Sequence, residues 1–237
     1  MKEFVLSVMN WSEVWAPLIP LIVFLFKRNQ PNFLKPVIVY LIFAVFINLA
    51  GDIIGAFPRY LPVWLQSNNP LYNIHSIARF ICFSYFFTIL PQFSFSRLKF
   101  ILPFVSVLII IVDFGYVENF GNPDHLSGNL LSAEAYLLLV YCMQYYLAKL
   151  KDEITDLSSQ ADFWVVTGLS IYVVINFFVF LFYVPMLVQD VRLAINIWYL
   201  HNLAYIVLCV CITRAFYEPA GIYLPRREIR KTGGEYV

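Results

Sequence analysis

The sequence predicts an all-α integral membrane protein of seven transmembrane helices, N-terminus outside and C-terminus in the cytoplasm. Three observations carry that prediction. Apolar residues make up 61% of the chain and charged residues only 13%, against about 45–50% and about 25% in a soluble domain. The apolar residues gather in spans near 10–26, 34–57, 71–92, 99–117, 128–149, 162–186 and 192–216. Each span is close to the roughly 20 residues that cross a hydrocarbon core about 30 Å thick. Finally, the basic residues sort by side. Lys27, Arg28, Lys35, Arg97, Lys99, Lys149, Lys151, Arg214, Arg226, Arg227, Arg230 and Lys231 fall on one side; Lys2, Arg59 and Arg192 fall on the other, with Arg79 inside a helix. The positive-inside rule makes the first side cytoplasmic.

The elements follow in order. The first span holds Glu13 near its outer start and ends at Lys27-Arg28. Lys2 stands beside Glu3 and no small-residue cleavage site follows, so the span is expected to be a retained helix rather than a signal peptide. The second runs outward and carries Asn48 and Asp52, four apart and so on one face. Its Gly51 and Gly55 form a Gly-x-x-x-Gly, a signature of close helix approach. The third runs inward through Asn73, His75 and Arg79. The fourth, without such polar residues, acts as a linker, and the loop after it (113–127) is acidic and expected outside. The fifth carries Glu134. The sixth carries Tyr172 and, one turn on, Asn176. The seventh carries Asn196, Trp198, His201, Asn202 and Tyr205. Residues 1–217 form the membrane domain; 218–237 form a basic cytoplasmic tail suited to anionic headgroups or to a docking partner.

The polar residues concentrate in the outer half of the bilayer, while the inner halves offer little beyond Gln92, Gln144, Thr167 and cysteines. A charge at the bilayer centre costs about 2.5–3.5 kcal/mol on insertion scales, so such groups pair or meet water. Arg79 is expected to pair with Asp52 or Glu134. Two readings compete for the set Glu13, Asn48, Asp52, Asn73, His75, Arg79, Glu134, Tyr172, Asn176, Trp198, His201 and Asn202. One is interhelical hydrogen bonding, worth about 0.6 kcal/mol per contact. The other is a ligand-binding pocket open to the outside. Arg79, Glu134 and His201 favour the pocket; Asn48, Asn73 and Asn176 favour bonding.

The polar residues also recur between the two halves. Ser12-Glu13-Val14-Trp15 is similar to Ala133-Glu134-Ala135-Tyr136, Val45-Phe46-Ile47-Asn48 to Val173-Val174-Ile175-Asn176, and Tyr72-Asn73-Ile74-His75 to Trp198-Tyr199-Leu200-His201. A Glu, an Asn and a His thus return in one order. This is the pattern of a parallel three-plus-one-plus-three repeat, with a site expected at the interface of the halves. Two carboxylates and two imidazoles could ligate zinc, but no His-Glu-x-x-His or comparable spacing accompanies them, and no cofactor or metal is expected. The same groups suit proton coupling. Cys82, Cys142, Cys209 and Cys211 fall inside spans and are expected to be packing residues rather than disulfides.

Nucleotide-binding and serine-hydrolase motifs are absent, and a net charge of +1 gives no attraction to nucleic acid. The last span has no lysine for a retinal Schiff base. Asn69-Pro70-Leu71-Tyr72-Asn73-Ile74 through Arg79-Phe80, Glu134, Phe163-Trp164 through Gly168, Tyr172, Asn176 and His201-Asn202 together resemble a family of uncharacterised seven-helix inner-membrane proteins common in Bacteroidota. In that family's pattern a His stands at the position of Asn73 and a Glu at that of Arg79. The resemblance implies a bacterial inner (cytoplasmic) membrane location and a sensory setting. The layout is also similar to that of three-plus-one-plus-three small-solute carriers.

The expected function is binding of a small solute in an outward-facing polar pocket, as a receptor or sensor acting through a cytoplasmic signalling protein. A small-solute or proton-coupled transporter is the second reading, and an intramembrane enzyme acting on a lipid-like substrate the third. The expected partners are the lipid bilayer, a small-molecule ligand and that signalling protein.

Overall fold

A computed structural model of the chain describes residues 2–62, 67–90, 96–112, 126–151 and 157–218. The acidic loop over 113–125 and the basic tail over 219–237 lie outside these residues. Among the described residues every regular element is helical: α1 (Lys2–Asn10), α2 (Ser12–Trp15), α3 (Leu18–Phe26), α4 (Lys35–Ala56), α5 (Asn69–Ile89), α6 (Ser96–Val112), α7 (Gly128–Lys151), α8 (Ala161–Gln189) and α9 (Val191–Tyr217), with short 3₁₀ turns before and after α4.

Local chemistry sets the boundaries. α4 and α5 each carry a proline in the first turn (Pro36, Pro70), where its missing N–H is harmless. Asp190 caps α9, its carboxylate accepting from the N–H groups of Arg192 and Leu193. Inside α6, which contains Pro103, the Ser106 hydroxyl donates back to the Pro103 carbonyl at 2.8 Å.

The expected first span (10–26) is not one straight helix: α1 ends at Asn10, and the rest is divided between α2 and α3. Pro17 has no N–H to give to the carbonyl of Glu13, four residues back, and Pro20 cannot bond Ala16. The Ala16 carbonyl is recovered by the N–H of Ile19 at 3.2 Å. The freed Glu13 carbonyl is taken from another helix, by Asn48 Nδ2 at 2.9 Å. At the break between α1 and α2, the Met9 carbonyl accepts from Asn202 Nδ2 at 3.1 Å. The breaks thus convert backbone acceptors into ties to α4 and α9.

The helices close a ring. α3 packs on α4, α4 on α5, α5 on α7, α7 on α8, α8 on α9, and α9 returns to α3, while α6 leans on α5 and α7. Short connections make sequential neighbours spatial neighbours; the α5–α7 and α9–α3 contacts join the two halves. The ring is filled by aromatic side chains, with Tyr40, Phe83, Phe86, Phe87, Tyr141, Tyr145 and Phe216 fully buried or nearly so. Phe87 and Tyr141 stack with centroids 5.0 Å apart.

Outward, Val39, Phe46, Ile81, Phe104, Leu108 and Phe178 are exposed. A surface of that kind is unstable in water and natural against lipid tails. Among the described residues four helices are long and apolar enough to cross a membrane: Asn32–Ala56, Gly128–Leu150, Ala161–Gln189 and Val191–Tyr217. α5 is of similar length at 21 residues, but Asn69, Asn73, His75 and Arg79 dilute its apolar character.

The Gly51/Gly55 pair is not a close helix contact. A Cβ at Gly51 would sit 3.8 Å from the Asn68 Cβ, an ordinary distance, and one at Gly55 would meet nothing within 4 Å. The close approach lies at Gly168, where a Cβ would stand 2.6 Å from the Cys211 Cβ and 3.3 Å from the Leu208 Cα. Glycine there lets α8 and α9 pack backbone to backbone. The four cysteines are unpaired, and Cys142, Cys209 and Cys211 are buried.

Candidate functional site

The side chains of the candidate set sit on five ring helices and α2, and most of them meet. Arg79 on α5 and Glu134 on α7 form a bidentate ion pair: Nε to Oε1 and Nη2 to Oε2, both 2.6 Å. Of the two partners expected for Arg79, Glu134 is therefore the one used, and Asp52 is not. Ser76, one turn before Arg79 on the same face, donates to Glu134 Oε2 at 2.5 Å. The remaining guanidinium nitrogen, Nη1, donates to the Tyr172 hydroxyl at 2.6 Å. Every member is buried, and planar guanidinium fits planar carboxylate through two parallel bonds.

From Tyr172 the network continues along α8. Asn176 Nδ2 donates to the Tyr172 carbonyl at 2.8 Å, which turns Asn176 Oδ1 toward His201 Nδ1 on α9. The other ring nitrogen, Nε2, lies 2.9 Å from Glu13 Oε1 on α2. Both imidazole nitrogens thus have hydrogen-bond partners, which fixes the ring between α8 and α2. The second Glu13 oxygen accepts from the Tyr72 hydroxyl at 3.1 Å. One chain of contacts thus runs from Tyr72 through Glu13, His201, Asn176, Tyr172 and Arg79 to Glu134.

The two buried glutamates each meet a base on another helix. Glu13 on α2 is matched with a base on α9, and Glu134 on α7 with a base on α5. The expected four-member set of Glu13, Glu134, His75 and His201 does not form, because His75 is not the partner of Glu134; Arg79, one turn further along α5, takes that place. His75 instead stacks on Tyr40, centroids 5.7 Å apart, and its Nε2 has no hydrogen-bond partner. Asn73 accepts from the backbone N–H of Ser127 at 3.2 Å, fixing the start of α7. Asn48 and Asn202 hold the broken N-terminal helices, as described above. Asp52 is half-buried and makes no hydrogen bond or ion pair among the described residues. Asn196 is exposed.

A cavity of about 340 Å³ opens at the end of the bundle formed by the start of α5, the end of α8 and the start of α9, lined by Asn68, Asn69, Tyr72, Tyr183, Leu187 and Trp198. This vestibule touches the buried network twice. Its Tyr72 donates to Glu13, and its Trp198 lies against His201 with ring centroids 4.9 Å apart. A second space of about 20 Å³ lies beside Ser76 and Glu134, room for one water. Among the described residues no group of three or more His, Cys, Asp or Glu is placed to hold a metal ion.

The opposite end of the bundle is less bare than the sequence suggested. There Lys149 Nζ lies 3.1 Å from Asp162 Oδ2, which also accepts from the Tyr145 hydroxyl at 3.0 Å. Lys149 closes α7 and Asp162 opens α8, so the antiparallel hairpin brings them together. That proximity was legible from the short connection between the two spans. The roles of Ser76 and Tyr72 had a fainter signal, the spacing of three or four from Arg79 and Ser76 on one helix face.

Comparison with known proteins yields no match: no family model, no curated protein and no solved structure is similar to this chain.

Proposed function

We propose that this chain is a seven-helix inner-membrane receptor that binds a small solute in the vestibule and signals through a cytoplasmic partner. The observation that carries the reading is the double contact between vestibule and network. A solute that moves Tyr72 or Trp198 acts on the Glu13–His201 pair, and through Asn176, Tyr172 and Arg79 on helices from both halves of the ring. The orientation follows the basic residues, so the vestibule faces outside. The Lys149–Asp162 end faces the cytoplasm, beneath the layer of Tyr40, Phe83, Phe87 and Tyr141 that fills the ring. That close-packed aromatic plug favours binding without passage. The Bacteroidota resemblance supports the sensory setting.

The test is a thermal-shift screen of the purified protein in lipid nanodiscs against a panel of small polar solutes. A ligand of the vestibule stabilises the folded state by mass action, and Tyr72→Phe with Trp198→Leu abolishes that shift. No stabilising solute in a broad panel, or shifts indifferent to both variants, sinks the reading.

A transporter is the second reading, favoured by the closed ring and by the reciprocal Glu–base pairs of a parallel repeat. Counterflow of a vestibule ligand in proteoliposomes would establish it and remove the receptor-only account.

A further inference from the structure

We propose that Glu13 and His201 form a proton-binding site beside the vestibule, and that the proton count of the pair sets how firmly α2 docks in the bundle. No solute in the vestibule is needed for this, so the site stands apart from the receptor reading.

The two buried acid–base pairs differ in chemistry. Arg79 keeps its proton in a folded protein, and its partner Glu134 is held by two guanidinium bonds and by the Ser76 hydroxyl. Glu13 instead faces an imidazole, Nε2 to Oε1 at 2.9 Å. Imidazole is the side chain that gains and loses a proton between about pH 5 and 8. Groups this close titrate as a unit, taking up protons in steps that belong to the pair. Access differs as well. The Glu13 side chain is 10% exposed, against 4% for that of Glu134. Tyr72, which donates to the other Glu13 oxygen, and Trp198, packed on His201, both line the cavity. One layer of side chains therefore separates the pair from the open end of the bundle.

The pair sits where a change of charge acts on structure. α2 is a single turn (Ser12–Trp15), too short to hold its own shape. Side-chain bonds fasten it: Trp15 Nε1 to the Val8 carbonyl, Asn48 Nδ2 to the Glu13 carbonyl, and the Glu13 carboxylate to His201 and Tyr72. Of these ties only the carboxylate's depend on protons. With one proton in the pair, opposite charges or a direct O–H···N bond join α2 to α9. With none, a carboxylate faces a neutral ring; with two, a carboxylic acid faces a charged one. Both of those states lose the attraction of opposite charges, so docking is firmest with one proton. Each proton comes from and returns to water, forming or breaking one O–H or N–H bond of the pair. The other titratable groups facing the pair are Tyr72 and His75 from α5, Asp52 from α4 and Tyr172 from α8. α3 has none, and Lys2 and Glu3 stand at the far end of α1.

The test is thiol labelling of the full-length protein in nanodiscs with an impermeant maleimide, from about pH 5 to 8. Ser12, fully buried on α2, is changed to Cys, and Ser7→Cys at an exposed position of α1 gives the reference rate at each pH. The ratio of the two rates is expected to change about fivefold or more across that range. Glu13→Gln and His201→Gln are each expected to raise the ratio and flatten its pH profile, with unfolding profiles showing which variants fold. Nitrogen NMR of labelled histidine reads the proton itself. The His201 signal is expected to titrate, and its midpoint to move by about one pH unit or more in Glu13→Gln. A His201 signal in the parent that stays constant over this range overturns the proposal, and so does a labelling ratio indifferent to pH. A pH profile kept in Glu13→Gln but lost in Asp52→Asn overturns it too, by moving the proton to the other carboxyl.

Discussion

Arg79 is tied three times in the interior, with two bonds to Glu134 and one to Tyr172. Breaking a buried ion pair from one side strands the other charge, at about 3–5 kcal/mol, whereas replacing both partners with apolar residues is often neutral. Glu134→Gln is therefore expected to lower the thermal unfolding midpoint sharply, and the double variant Arg79→Met with Glu134→Leu to recover most of the loss. A double variant as unstable as the single one would mean the pair is not the source of the effect. Asn48 offers a finer test. Its bond to the Glu13 carbonyl exists because Pro17 cannot make the helical one. Asn48→Ala is expected to cost about 0.6–1 kcal/mol in the parent. In a Pro17→Ala background, where the substituted residue supplies the missing N–H, the same change should cost less than half as much. Equal costs in a denaturation cycle would sever that link. Both residues were visible in the sequence as buried polar groups, but their partners were not. Asp52 and Glu134 were equal candidates for Arg79, because helix position alone does not say which neighbour a long side chain reaches.

At the scale of elements, hydropathy located the last three helices. The spans near 128–149, 162–186 and 192–216 match α7, α8 and α9 to within three residues at either end, since lipid thickness and apolar length are tied. The first span was read as continuous because its composition is apolar throughout; Pro17 and Pro20 override that by removing backbone donors. The glycines show the same limit. Gly51 and Gly55 have the motif without the contact, and Gly168 has the contact without the motif. Gly168→Ala drives a methyl group into Cys211 and the α9 backbone, with an expected loss of about 1–3 kcal/mol of stability. Gly55→Ala meets no neighbour and is expected to be neutral or slightly stabilising through helix propensity. Thermal unfolding of the two variants side by side decides this, and a reversed order would place the α8–α9 contact elsewhere.

The whole molecule is a ring whose halves meet through α3 with α9 and α5 with α7. The proposed orientation makes a direct prediction about its two ends. In right-side-out vesicles, a cysteine introduced at Asn69 is expected to react with an impermeant maleimide from outside. One at Ser158, which is exposed beside α8, is expected to react only after permeabilisation. The opposite pattern inverts the protein and closes the vestibule to the exterior. The sequence by itself determined the helical class, the placement of the long apolar helices and the identity of the polar residues. Those properties are set by local composition and by the cost of exposing polar backbone to lipid. Only the tertiary structure decided that Glu13 meets His201, that Glu134 meets Arg79 rather than His75, and that Tyr72 and Trp198 join a cavity to that network. Such pairings depend on the rotation of each helix about its axis and on which helices close the ring. Both are fixed by packing across the whole bundle rather than within any one span.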